Sequence, residues 1–328
     1  MVGSPNPSYF AYEMRFPFEG AAATIRGLLC AMDLEPWGGA ILPHEETMPG
    51  PVEDRLQLLR ATRTHLSPIY GVIAGPNRPL AAFLDEVTSS PTAFAVADEE
   101  GVGHRMWRVP GTVEAAAWVA DERVLIADGH HRYTTALAYR AERDGAEGPG
   151  PWDRILTLIV DAGTQHVPVL PYHRLQIEGS PQGDGSEAGG TPADLASLLA
   201  TVSDDALTYG VARRAGDGDL RLRLHRLAGE PPTVAALHRQ VLDRIAPGDA
   251  VRFTHDADDA VAAVRSGAAV AAYLLPPTTP ERIRAVVERG ERLPRKSTFF
   301  WPKPRTGMVL MPVDQPALSR PPQAPPTS

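Results

Sequence analysis

Residues 124–144 read VLIADGHHRYTTALAYRAERD, and the order of elements in this stretch decides the fold. The short apolar run Val124-Leu125-Ile126-Ala127 reads as a buried strand. Asp128-Gly129 interrupts it, and behind them Tyr133, Leu137 and Arg140 or Ala141 recur at helical spacing. The pattern predicts a strand, a tight glycine turn and a helix. The first backbone N–H groups of a helix lack intrahelical partners and make a ready anion site. Here that site carries a carboxylate, two imidazoles and a guanidinium: Asp128, His130, His131 and Arg132.

Outward from this stretch, the 328 residues are 43% hydrophobic and 22% charged, the balance of a globular protein with one large or two ordinary domains. A formal charge of −8 argues against a general nucleic-acid binder. The single cysteine, Cys30, excludes an intramolecular disulfide and suits a reducing compartment. Its neighbours Leu28, Leu29, Ala31 and Met32 mark it as a packed thiol. The N-terminus lacks the basic and apolar regions of a signal peptide, and no run of about 18 apolar residues is present. A cytoplasmic location is expected, with no membrane partner.

Along the chain, residues 8–34 read as two extended segments around Glu19-Gly20. The polar loop ILPHEETMPGP (41–51) leads into a helix traced by Val52, Leu56, Leu59 and Arg63, then a strand at 67–75. A helix at 78–89, a hairpin of 94–98 with 103–109 and a helical stretch at 112–122 follow. Beyond the opening motif come a strand at 154–162 and an extended segment at 167–175. Residues 179–192, GSPQGDGSEAGGTP, read as a linker or surface loop. Helices at 192–202, 233–246, 257–266 and 279–289 then alternate with strands at 207–213, 219–227, 250–254, 268–275 and 307–313. The fold class is mixed α+β. The expected domains are 1–178, carrying the site, and a smaller α/β lobe at 193–315. The proline-rich tail 316–328 reads as disordered.

Three stretches together resemble one bacterial family, domain-of-unknown-function family 1015. They are LPHEETMPGPVEDRLQLLRATRTHLSPIYG (42–71), LIADGHHRYTTALAYR (125–140) and GERLPRKSTFFWPKPRTG (290–307). Members usually carry some tens of further N-terminal residues. The family in turn resembles the ParB/sulfiredoxin-like superfamily, including the archaeal free serine kinase. That implies a ParB-like core in which Pro43-His44-Glu45-Glu46 form a first box, Pro68-Ile69 a strand, and Asp128 to Arg132 a second box.

The resemblance implies a nucleotide-dependent phosphotransferase, using ATP or ADP with Mg²⁺, that acts on a small hydroxylated metabolite such as free L-serine. Glu45 takes the role of general base, with Glu46 as the alternative; His44 and Glu46 are the expected substrate contacts. Asp128 is the expected metal ligand or hydroxyl partner, and His131 joins it as a catalytic group. Gly129, His130 and Arg132 cradle phosphate, and Lys296, Ser297 and Thr298 close the site from the second lobe. The residue chemistry is consistent with these roles. Phosphoryl transfer needs positioning and charge neutralisation above all. Arg132 can fork onto phosphate oxygens, and Asp128 at a strand end suits a hard cation that takes few carboxylates. Adjacent helical residues point about 100° apart, so His130 and His131 do different jobs. A plainer alternative has Asp128 capping the helix while the histidines solvate its first turn.

Gly290 and Lys296-Ser297 approach Walker A spacing, but Arg295 stands where its second glycine belongs, so a P-loop is excluded. Arg55, Arg60 and Arg63 fit a solvated helix face, and His255 with Asp256, Asp258 and Asp259 fits a helix start. The competing functional class is a ParB-like nucleotide-binding switch with a DNA or protein partner. The acidic total charge argues against DNA.

Overall fold

The computed structural model describes residues 8–314 apart from 93, 112–114, 116, 180–185, 188–193, 216–217 and 246–249. The chain divides into two compact units, one built from residues 1–167 and 302–328 and the other from 168–301. The sequence reading groups 168–178 with the first domain, but these residues pair within the second unit. It groups 302–315 with the second, but 302–314 return to the first. The tail 316–328 and most of the expected linker and of the 112–122 helix start lie outside the described residues.

The first unit is a mixed α+β structure. β1 (Ser8–Phe18) and β2 (Ala21–Asp33) form a long hairpin whose turn, Glu19-Gly20, has positive φ at both residues, 49° and 79°. Such a turn matches the twist of its strands. β3 (Ile41–Pro43), β4 (Thr64–His65), β5 (Ile69–Ile73), β6 (Phe94–Ala97), β7 (Gly103–Pro110), β8 (Val124–Asp128) and β9 (Arg154–Asp161) follow. Eight strands make one sheet in the order β3-β8-β5-β9-β2-β1-β7-β6. The pairs β3–β8 and β5–β9 are parallel; the others are antiparallel. β3 falls in a segment that the sequence reads as loop, since three residues at a sheet edge are too few to show a period.

Among the described residues, three α-helices flank this sheet: α1 (Pro49–Thr62), α2 (Arg78–Thr88) and α3 (His130–Glu147). α3 lays Tyr133 and Ala136 on Ile69, Val124, Ile126 and Ile155 of the sheet. α1 buries only Leu56 and Leu59, which meet Tyr139, Trp152 and Val313. On the hairpin side, Leu80 and Leu84 of α2 pack with Ala11, Leu28, Cys30, Trp107 and Ile159. Burial pushes the Cys30 thiol up to about 12, so it is inert at neutral pH.

The second unit holds β10 (Val169–Pro171), β11 (His173–Gln176), β12 (Ser186–Glu187), β13 (Thr208–Arg214), β14 (Leu220–Arg226), β15 (Val251–Thr254), β16 (Ala271–Leu274) and β17 (Thr298–Phe300). Six of these form a sheet in the order β12-β14-β13-β16-β11-β15, and β10 pairs with β17. Among the described residues its α-helices include α4 (Leu195–Leu199), α5 (Thr233–Leu237), α6 (Ala257–Ser266) and α7 (Pro280–Glu288). A π-helical turn over His238–Leu242 extends α5. The Asp256 side chain caps α6 by accepting from Asp259 N–H at 3.0 Å, as the sequence reading of a helix start expects.

Gly27 pairs with Val160 where β2 meets β9. A Cβ there would lie 2.6 Å from the Ile159 carbonyl oxygen and 2.8 Å from Leu158 and Val160 side-chain carbons. The carbonyl belongs to the sheet ladder and cannot step aside cheaply. Gly27→Ala is therefore expected to destabilise the protein by about 1–3 kcal/mol, read as a lower urea midpoint. An unchanged midpoint would show that this part of the sheet can open without cost.

Candidate functional site: a carboxylate between two cations

β8 carries Asp128 to the edge of the core. Its pairing with β5 shifts register between Tyr70 and Gly71, so that Tyr70 faces Asp128 while Gly71 faces Ile126. Ala127 is the extra residue, and the bulge re-aims the strand end. Gly129 follows at φ +105°. A Cβ on it would meet Ile69 Cδ1 at 2.8 Å and Arg132 Nη2 at 3.0 Å, so both backbone angle and space require glycine. The turn lets α3 start at once, with Tyr133 N–H donating to Gly129 O at 2.9 Å.

Arg132 folds back over this turn. Its Nη2 donates to Asp128 Oδ2 at 2.6 Å and its Nη1 to Pro68 O at 2.5 Å. Lys303 donates to the other oxygen, Oδ1. Burial alone would raise the carboxyl pKa, but Lys303 first and Arg132 second outweigh it and hold Asp128 below the usual carboxylate range. Because the folded-state value is depressed, the arrangement stabilises the fold above the ordinary aspartate pKa. That contribution is lost as the pH falls through the depressed value. The Arg132 guanidinium is pulled down by its burial, supported by Asp128 and opposed by Arg55, an exposed arginine on α1. Two side-chain cations thus meet one carboxylate, with a third cation near enough to act on Arg132.

Two histidines fasten the loop before α1 to the start of α3. His44 N–H donates to His130 Nε2 at 3.3 Å, and Met48 N–H donates to His131 Nε2 at 3.1 Å. Each Nε2 is an acceptor here and carries no proton. Glu45, half-buried, and Glu46, exposed, lie in the span between these two ties. His44 is buried, edge-on to the His130 ring at 4.6 Å. Trp37 stacks on His130 at 6.2 Å and meets Tyr133 at 4.4 Å. The Tyr133 hydroxyl closes that side by accepting from Glu35 N–H at 2.9 Å and donating to Glu35 O at 2.8 Å. Met48 is the N-cap of α1, and Thr135 Oγ1 donates to Val52 O at 3.2 Å. The amino ends of α1 and α3, each the positive end of its helix, therefore lie side by side.

Lys303 reaches Asp128 across 175 positions of sequence, on a segment fixed at several points. β18 (Met311–Pro312) pairs with β4, Gly307 N–H donates to Leu66 O at 3.0 Å, and Thr306 Oγ1 lies 2.6 Å from Ser67 Oγ. Arg305 N–H donates to the Tyr12 hydroxyl at 3.1 Å. That hydroxyl is 2.7 Å from His104 Nδ1, and His104 Nε2 is 2.9 Å from Asp98 Oδ2. Burial drives the Tyr12 phenol up to about 12, so it stays protonated.

Of the residues expected from sequence, the structure gathers His44, Glu45, Glu46, Asp128, Gly129, His130, His131 and Arg132 in the first unit. Lys296, Ser297 and Thr298 belong to the second unit. There the Lys296 carbonyl accepts from Arg174 at 2.7 Å and the Ser297 hydroxyl donates to Pro294 O. Lys303, from the same motif, donates to Asp128 within the first unit. Its signal was a lysine fenced by Pro302 and Pro304 in the same motif. Both Asp128 oxygens pair with cations here, Oδ2 with Arg132 and Oδ1 with Lys303. Among the described residues, no three His, Cys, Asp or Glu side chains converge to hold an ion. Nor is any helix among them long and apolar enough to cross a membrane. Arg60 pairs with Glu142 and Glu53, as a solvated helix face predicts.

The site is a strand–glycine turn–helix unit in which the Asp128 carboxylate is held between lysine and arginine. The chain belongs to the family described as protein of unknown function (DUF1015), whose model matches residues 1–182. No curated protein matches it. Among solved structures, a variant of free serine kinase in complex with AMP is similar at 14% identity and TM-score 0.45, over 86% of this chain and 91% of that one. A conserved hypothetical protein from Pyrococcus furiosus is 14% identical, with TM-score 0.40, over 85% and 94% of the two chains. SbnI from Staphylococcus aureus, truncated at its C-terminus, is 12% identical, with TM-score 0.43, over 85% of each.

If His131 ties down the loop, His131→Ala should speed hydrogen exchange at the Met48 amide by roughly tenfold, the loss of a bond of about 1.4 kcal/mol, and leave β2 and β9 amides unchanged. Equal exchange in both proteins would remove the tie.

Proposed function

We propose that the protein transfers a phosphoryl group between a nucleotide and a small hydroxylated metabolite, with free L-serine as the first candidate. One observation carries this reading: an ionised Asp128 bracketed by Lys303 and Arg132 at the amino end of α3. The cluster sets two side-chain cations against one carboxylate at the amino end of a helix. A phosphate would meet cations and helix N–H groups already fixed in place, which is what stabilises charge in phosphoryl transfer. The motif resemblance to free serine kinase supplies the reaction class.

Glu45 is the better candidate for the base. It is half-buried on a span tied at both ends, whereas Glu46 is exposed. In the step proposed, Glu45 accepts the substrate hydroxyl proton, and the freed oxygen forms a bond to phosphorus. The bond from phosphorus to the nucleotide's oxygen breaks, and the departing phosphate keeps the electron pair. His130 and His131 serve by holding the Glu45 span rather than by binding phosphate. Lys303 and Arg132 hold the transferred group.

The test is incubation of the protein with ATP or ADP and L-serine, with mass spectrometry for the phosphorylated product. Asp128→Asn is expected to lower turnover on the order of 100-fold with an unchanged circular dichroism spectrum, and Glu45→Gln to do the same. Full activity in both variants would refute the assignment.

A further inference from the structure

The second unit holds a group of aromatic rings that its core does not absorb. Phe299 on β17 stacks on His255 at 4.8 Å and 30°, and on Trp301 at 5.8 Å and 26°. Tyr172 meets Phe299 edge-on at 5.6 Å. The neighbouring Phe300 is fully buried, as a core ring should be. Phe299, Trp301 and Tyr172 are only half-buried, and His255 is exposed. Packing therefore accounts for Phe300 but leaves the adjoining rings part in water.

A buried charge holds the backbone beside these rings. Arg174 is 0% exposed, its guanidinium over Phe253 at 5.1 Å. Its Nη1 donates to Tyr172 O at 2.6 Å and Lys296 O at 2.7 Å, and its Nη2 to Arg295 O at 3.3 Å. Burying a cation is costly unless its hydrogen bonds are made. Here those bonds fix both Tyr172 and the 295–296 loop. Lys296 sits at φ +56°, a left-handed conformation uncommon for a lysine and seen where the surroundings enforce it. Its ammonium comes to 5.4 Å from the Tyr172 ring centre. Lys296 and Arg295 are both exposed. The nearby carboxylate, Asp256, is committed to capping α6.

We propose that this ring stack, with Lys296 beside it, is a binding site in the second unit for a planar aromatic anion. A nucleotide is the class that matches both features, its base continuing the stack and its phosphate meeting Lys296 and Arg295. The proposal rests on the nucleotide reading above for the identity of the ligand alone and concerns a site within the second unit. It concerns binding, so it does not share the fate of the catalytic assignment.

The experiment is calorimetric titration of the full-length protein with ADP, adenosine and inorganic pyrophosphate. His255→Ala, at an exposed ring, and Phe299→Leu, which keeps an apolar group on β17, should each weaken ADP and adenosine roughly tenfold or more and leave pyrophosphate unchanged. Lys296→Met should weaken ADP but spare adenosine. Unchanged ADP affinity in all three variants would overturn the proposal. So would equal weakening of pyrophosphate in Phe299→Leu, which would mark a general disturbance. Should Asp128→Asn leave turnover intact, the phosphotransferase reading fails while these affinities still decide the ring site.

Discussion

A carboxylate at the end of a buried strand stays ionised only if positive charge is brought to it. Around Asp128 that requirement explains much of the first unit. Arg132 comes from the same turn, four residues on, and needs Gly129 to fold back without a clash. Lys303 comes from the far end of the chain, which explains why residues 302–314 leave the second unit and are fastened along β4, Leu66 and Tyr12. Both cations act against burial, Lys303 more strongly than Arg132.

The same turn also organises the loop before α1. Adjacent histidines on the first turn of α3 point in different directions, so His130 and His131 can accept from amides at opposite ends of residues 44–48. Trp37 and Tyr133 pack behind them and fix the ring of His130. The result is a short acidic span tied at both ends to the first turn of α3. Preorganisation of this kind is the main contribution a protein can make to phosphoryl transfer.

Much of this was legible in the sequence, for local reasons. The strand, the glycine and the helical period of 124–144 are neighbours in sequence, and each declares itself within a few residues. The β1–β2 hairpin likewise needed only Glu19-Gly20. Lys303 was legible as part of a basic stretch with Lys296 and Arg305, but not as the partner of Asp128. Its partner lies 175 positions away, and Lys296 in the same motif had the more familiar setting beside serine and threonine. The roles of the histidines were hidden for another reason. An imidazole can bind phosphate or accept from an amide, and only the position of the 44–48 loop decides which. The unit boundary at 167 escaped because the extended segment 167–175 follows β9 after only a short turn, and which sheet its strands join is set by distant partners on β15, β16 and β17.

The central claim is that Asp128 is held ionised by Lys303 and Arg132 together. Carbon-detected NMR titration of the Asp128 carboxyl tests it directly, in the native protein and in Lys303→Met. The account predicts a midpoint below the ordinary aspartate value of about 3.9 in the native protein, rising when Lys303 is removed because burial is then less opposed. An ordinary midpoint that does not move in Lys303→Met would contradict it.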